Sequence, residues 1–183
     1  VLPLVESPLA KNFLTALTEL PEPEAREVLY RRATGDAMVP TGDAEAPEGF
    51  ELVELPASFY YYTRYGTPAA YVRALDLAAK HGLASADGAT ILDFGFGGIG
   101  HLRALAGMGA TTIGIEVNEL LRALYREPGD QGSVARTASA GEGEGGRVAL
   151  FFGSFPGDTE LRERVLEATG EGCDLIVAKN VLK

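Results

Sequence analysis

The stretch "ILDFGFGGIG", Ile91 to Gly100, decides how this chain is read. An apolar run ends on Asp93, and glycines follow at positions 95, 97, 98 and 100. Strand, glycine turn and helix in that order bring a ligand close to bare backbone, because glycine permits the tight turn and leaves no side chain in the way. The same grammar repeats downstream of the helix "GGIGHLRALAGMG". "ATTIGIEV" reads as a second strand, "NELLRALYRE" as a helix capped by Asn118, and "RVALFF" as a third strand. "DTELRERVLEAT", capped by Asp158, and the strand "CDLIVA" complete the series. Strict alternation implies right-handed crossovers and a parallel sheet covered on both faces. The expected class is α/β, an open parallel sheet with four visible strands. Sheets of this kind usually continue past a fourth strand, so the expectation is a larger protein whose further part carries some of the site.

Upstream the pattern is helical. In "SPLAKNFLTALTEL", Ser7 is the expected N-cap and Pro8 the first helical residue, with Leu9, Phe13, Leu17 and Leu20 along one stripe. "PEAREVLYRRA" reads as a second short helix with Val28 and Leu29 inward, and residues 34–49 as an exposed loop. "SFYYYTRYGTP" leads into a helix from Pro68 to His81, with Thr67 as cap and Gly82 as stop. Phe59 to Tyr62 are expected to form a buried seam. Residues 127–146, glycine-rich and poor in apolar side chains, read as a mobile insertion.

Composition narrows the function classes. A net charge of −10 with no basic cluster disfavours nucleic acid. No apolar run approaches the roughly 20 residues that span a bilayer, so no membrane association is expected. The single cysteine, Cys173, excludes an internal disulfide and reads as a small core residue. The two histidines, His81 and His101, are far apart in sequence, so no metal site is expected; His101 reads as surface rather than catalytic, and His81 as a group near a helix C-terminus that the helix dipole favours. No signal peptide is visible, which points to the cytoplasm, although the sequence starts at Val1 rather than methionine.

Two ligands suit the glycine turn. Gly95, Gly97 and Gly100 satisfy the dinucleotide spacing G-x-G-x-x-G, and Glu116 stands where an acid holds a ribose hydroxyl. That acid serves NAD(P) and S-adenosylmethionine alike, since both contain adenosine. Asp93 separates them. A carboxylate about 5 Å from a phosphate charge costs roughly 3 kcal/mol at an effective dielectric near 20. S-adenosylmethionine brings a sulfonium and an α-ammonium instead, and the same carboxylate attracts both.

At this point the chain resembles the class I S-adenosylmethionine-dependent methyltransferases. "ILDFGFGG" is similar to their first motif, "IGIEV" to the second, "RVALFFGSF" to the third-strand segment and "CDLIVAKNVL" to the fourth strand with its loop. The resemblance runs from about Tyr65 to Lys183. It implies a Rossmann-like cofactor-binding domain over residues 65–183, behind a helical and loop extension over 1–64. It implies that Asp93, Phe94, Gly95 and Gly97 hold S-adenosyl-L-methionine with Glu116 and Val117, and that Ser154 and Phe155 flank the adenine. Tyr65 and Thr67 would close over the methionine end, and Lys179 and Asn180 would line the methyl-transfer site. Each has a plainer alternative: Asp93 caps the turn, Thr67 caps its helix, Tyr65 packs, and Lys179 is solvated. The chain departs from the family pattern at Ile99, where a third glycine is usual, at Ser154, where an acid is common, and in "AKNVL", which lacks the Asn/Asp-Pro-Pro-Tyr signature.

The reading is therefore a methyltransferase acting on a small-molecule or protein acceptor, with no general base assigned. An NAD(P)-dependent oxidoreductase and a non-catalytic adenosyl-binding module are the alternatives.

Overall fold

The structure is a computed structural model and describes residues 4–32, 38–40, 50–63 and 66–179. Helix α1, Pro8–Thr18, starts as its sequence dictates, with the Ser7 hydroxyl accepting from the Ala10 amide at 3.2 Å. Its stripe of Leu9, Ala10, Phe13 and Ala16 is buried. Strands β1 (Arg26–Arg32), β2 (Met38–Pro40) and β3 (Phe50–Leu55) then form an antiparallel sheet in the order β2-β1-β3.

Two expectations are corrected here. The segment "REVLYRR" is a strand, not a helix, and part of the expected loop is strand β2. Two adjacent apolar residues such as Val28 and Leu29 suit either period. What decides is "FELVEL", about twenty residues on, which pairs with β1 in register from Arg26↔Leu55 to Arg31↔Phe50. A distant partner outweighs local propensity.

A 3₁₀ turn at Pro68–Tyr71 leads into α2, Val72–Lys80. The alternating series follows: β4 (Thr90–Phe94), α3 (Gly100–Gly107), β5 (Thr111–Glu116), α4 (Glu119–Leu124), β6 (Gly132–Ser133), β7 (Arg147–Phe152), α5 (Thr159–Thr169) and β8 (Leu175–Val177). The second sheet has five strands in the order β6-β7-β5-β4-β8. The contacts β7–β5, β5–β4 and β4–β8 are parallel, and β6 is an antiparallel edge. Asn118 and Asp158 cap α4 and α5 as expected, accepting from Leu120 and Leu161 amides at 3.0 Å each.

Alternate residues of the sheet feed different cores. Leu92, Ile113, Ile115 and Phe151 pack with Leu161 and Val165 of α5. Ile91 faces the other way, toward α1, α2 and α3, while Val148 and Leu150 meet α3 and α4. Gly114 lies on that second side, where an added Cβ would stand 2.6 Å from Phe96 Cδ1 and 2.8 Å from Leu102 Cδ1. Strand β5 thus leaves a hole that the aromatic ring of the glycine turn fills.

The expected four-strand sheet with a mobile insertion is also corrected, because residues 127–146 supply strand β6 and pack tightly. The amides of Val134 and Gly146 donate to the carbonyls of Gly146 and Ala106. Arg136 donates to Asp87 and to the carbonyls of Ala140, Gly141 and Glu144. A Cβ at Gly145 would lie 1.8 Å from Val134 O, and one at Gly146 1.9 Å from Ala110 O. These glycines serve close backbone approach rather than looseness.

One side of the sheet stays open among the described residues. A groove of about 430 Å³ runs between α2 and β8, with Leu77 and Ile176 exposed beside it. No described helix is long and apolar enough to cross a membrane.

Candidate functional site

Chain order moves outward from β4 to β5 and β7, then returns to place β8 on the other flank of β4. Ligands of open α/β sheets sit at the carboxyl ends of the strands where order reverses in this way. That point is the end of β4, and there the chain places Asp93 and the glycine turn.

The turn is held on every side. Gly95 and Gly97 adopt φ of +75° and +63°, left-handed conformations that side chains resist. The Gly95 amide donates to Ile115 O at 2.8 Å, binding the turn to the neighbouring strand. The Gly97 carbonyl accepts from the Thr63 hydroxyl, and the Tyr71 hydroxyl oxygen lies 3.3 Å from the Phe96 carbonyl while its proton goes to Asp93. Tyr125 closes the helix side: its hydroxyl accepts from the Ile99 amide at 3.1 Å and donates to Tyr60 O at 2.8 Å.

Glu116 ends β5 with its carboxylate turned to this turn. Its Oε2 accepts from the Gly97 amide at 3.1 Å, and its Oε1 from the amides of Val117 and Asn118 at 2.8 and 3.1 Å. A carboxylate offers about four lone-pair positions. Three amides leave Oε2 room for one more donor.

Asp93 is buried, as are both groups that bind it. Tyr71 donates its hydroxyl to Oδ2 at 2.7 Å, and His101 Nε2 lies 2.6 Å from the same oxygen. The Tyr71 and His101 rings stack with centres 3.6 Å apart and planes 8° from parallel, so the two groups reach Oδ2 from adjacent layers. Burial first, and then the charge and hydrogen bond of Asp93, push the Tyr71 phenol well above its ordinary range, so it remains a donor. Asp93 Oδ1 is buried without a hydrogen-bond partner among the described residues. Buried acceptors are seldom left unpaired, which makes Oδ1 the exceptional atom of the site.

The remaining expected residues divide. Phe94 and Phe155 meet edge to face at 5.6 Å on the α5 side of β4. Val117 and Ser154 are exposed near Glu116 and after β7. Lys179 follows β8 and reaches back, its Nζ 5.7 Å from the centre of the Tyr71 ring. Thr67 holds the cap position before the 3₁₀ turn, but its hydroxyl makes no capping bond. Tyr65 and Asn180 lie outside the described residues.

His101 corrects the surface reading given to it. The first turn of α3 folds back over the end of β4, and His101 is only 2% exposed. Tyr71 was missed altogether. The signal for His101 was present in the sequence, since a strand–turn–helix unit returns the first helical residues to the end of its own strand. Nothing local marked Tyr71, which arrives from a different element. The seam expected at Phe59 to Tyr62 is buried at Tyr60 and Tyr61, while Tyr62 is exposed. Cys173 is half-buried just before β8, and burial pushes its thiol up.

No protein-family model, curated protein or solved structure matches this chain.

Proposed function

We propose that this chain is an S-adenosylmethionine-dependent methyltransferase domain of Rossmann-like fold, acting on a small-molecule or protein acceptor. One observation carries the reading: the Gly97 amide, which a pyrophosphate would need, is held by the Glu116 carboxylate, while Asp93 Oδ1, at the end of the strand before the same turn, has no hydrogen-bond partner among the described residues. Two carboxylates at one turn repel a dinucleotide and attract a ligand that is cationic where it meets them. The order of the parallel strands and the reversal at β4 support the fold assignment.

The residues present suit this cofactor. Glu116 keeps one acceptor position for a ribose hydroxyl, and Asp93 Oδ1 takes a positive donor, directly or through one water. Gly95 and Gly97 keep side chains off the surface that the ligand would cross. Val117 and Phe155 supply apolar area for the adenine. When bound, S-adenosylmethionine supplies a methyl group on a sulfonium sulfur, ready for displacement by a nucleophile. The work of the chain is to orient: β4 and β5 fix the two acids, and Lys179 stands at the end of β8 on the acceptor side.

Calorimetry tests the reading. S-adenosylhomocysteine binds and NADH does not, and Asp93→Ala weakens the former. Tight NADH binding without S-adenosylhomocysteine would return the site to the oxidoreductases. Undiminished affinity in Asp93→Ala would remove the charge reasoning. Binding without methyl transfer to any acceptor class would leave an adenosyl-binding module.

A further inference from the structure

At the amino ends of β5 and β7, the opposite end of the sheet from the glycine turn, a hollow of about 380 Å³ opens between the sheet and the second half of α5. We infer that this hollow binds a small carboxylate with an apolar body, held by Arg147 and Arg164 over a floor of Ala149 and Phe151. The inference stands apart from the cofactor reading, since no residue lining the hollow belongs to the glycine turn or to the end of β5 that carries Glu116.

Residue size makes the hollow. Arg147, Ala149 and Phe151 alternate along β7, so all three lie on the face that α5 covers, with Thr111 beside Arg147 in the parallel register. Helix α5 packs Leu161 and Val165 onto Phe151, Ile113 and Ile115. The small side chain of Ala149, next along the strand, leaves space beneath the helix. That space falls within the roughly 300–1,000 Å³ of small-molecule sites. Charge then selects the ligand. Arg164 stands over the Phe151 ring, its Cζ 5.3 Å from the ring centre, which holds a flat guanidinium at the wall. Neither Arg147 nor Arg164 forms an ion pair among the described residues. The chain carries 26 acidic side chains against 16 basic ones, so two arginines left unpaired in one hollow stand out. Glu167 lines the same hollow, giving it two positive charges and one negative. A single net positive charge suits a monoanion, and the guanidinium fork matches the two oxygens of a carboxylate. The rest of the ligand meets Ala149 and Phe151, and is therefore apolar.

Calorimetry with benzoate as the probe tests the site. Wild-type protein is expected to bind benzoate in the millimolar range, and benzyl alcohol, the same ring without the charge, about tenfold more weakly. Arg147→Gln and Arg164→Gln are each expected to weaken benzoate by roughly threefold to tenfold. Both arginines are exposed, so these variants keep the fold. Ala149→Leu retains both arginines but fills the floor, and should weaken benzoate by about tenfold or more. Glu167→Gln removes the one repelling charge and should tighten binding by about twofold or more. Arg162→Gln, exposed on α5 but outside the hollow, should change affinity by less than about twofold. Equal losses in Arg162→Gln and Arg164→Gln would reveal diffuse attraction to a charged surface and overturn the inference. Undiminished affinity in a folded Ala149→Leu would overturn it too, as would weaker binding in Glu167→Gln. So would wild-type protein that fails to bind benzoate, or binds benzyl alcohol equally well, a comparison that needs no variant to fold.

Discussion

At the scale of single residues, Gly114 shows how the site depends on a missing side chain. Phe96, from the glycine turn, occupies the space that a Cβ on β5 would take, at 2.6 Å. Gly114→Ala therefore forces the ring or the strand to move, at a cost of about 1–3 kcal/mol for an overpacked core. A lower urea midpoint is the expected result, with weaker S-adenosylhomocysteine binding beyond that loss of stability, because Phe96 is continuous with the turn. Tyr125 offers a second check. Its hydroxyl serves the Ile99 amide and the Tyr60 carbonyl, both in the interior. Tyr125→Phe leaves those groups without a partner and should cost about 1–3 kcal/mol, read as a shifted midpoint at unchanged slope.

At the scale of elements, α1 is joined to α2 by a carboxylate. Asp76 Oδ1 accepts from the amides of Ser7 at 2.7 Å and Glu6 at 3.2 Å, at the very start of α1. Hydrogen bonds from Ser7, then the Glu6 amide and the Lys80 charge, outweigh burial and hold the Asp76 carboxyl below its ordinary range. A lowered acid stabilises the fold above its unfolded pKa, and that contribution is lost as pH falls through the folded value. The melting temperatures of wild type and Asp76→Asn should therefore differ near neutrality and converge in strong acid. An unchanged gap would show that the carboxylate does not serve this junction. Elements were also where the sequence was most and least readable. The strand–helix series from Thr90 to Val177 was legible because each strand carries its own apolar run, and each helix its own cap or glycine stop. Strand β1 was not, because its conformation is fixed by pairing with β3. The glycines of 127–146 misled because a glycine needed for close approach and one left for flexibility look identical in a single sequence. At the site, Asp93, Glu116 and the turn were visible in one contiguous motif and one strand end, whereas the Tyr71–His101 stack exists only once three elements meet.

At the scale of the whole molecule, the N-terminal sheet is joined to the α/β core through Asp130. This fully buried carboxylate accepts from Arg26 at 2.8 Å, Tyr60 at 2.7 Å and the Glu127 amide at 2.8 Å. Asp130→Ala strands all three donors, and the loss should approach about 3 kcal/mol, visible as a lowered melting temperature. The open flank behaves oppositely. Ile176 is 65% exposed on the edge strand, so Ile176→Thr should change stability by less than about 0.5 kcal/mol while reducing concentration-dependent light scattering. A large loss of stability would mean that the flank is covered in solution. Strand β4 has the reverse situation, laddered to β5 on one side and β8 on the other. Its central amides should exchange with deuterium only when the entire domain opens, making them the slowest clock in the protein. A ligand held at the end of that strand slows the clock by the factor 1 + [L]/Kd, so occupancy can be timed from the most deeply enclosed hydrogens without any signal from the ligand itself.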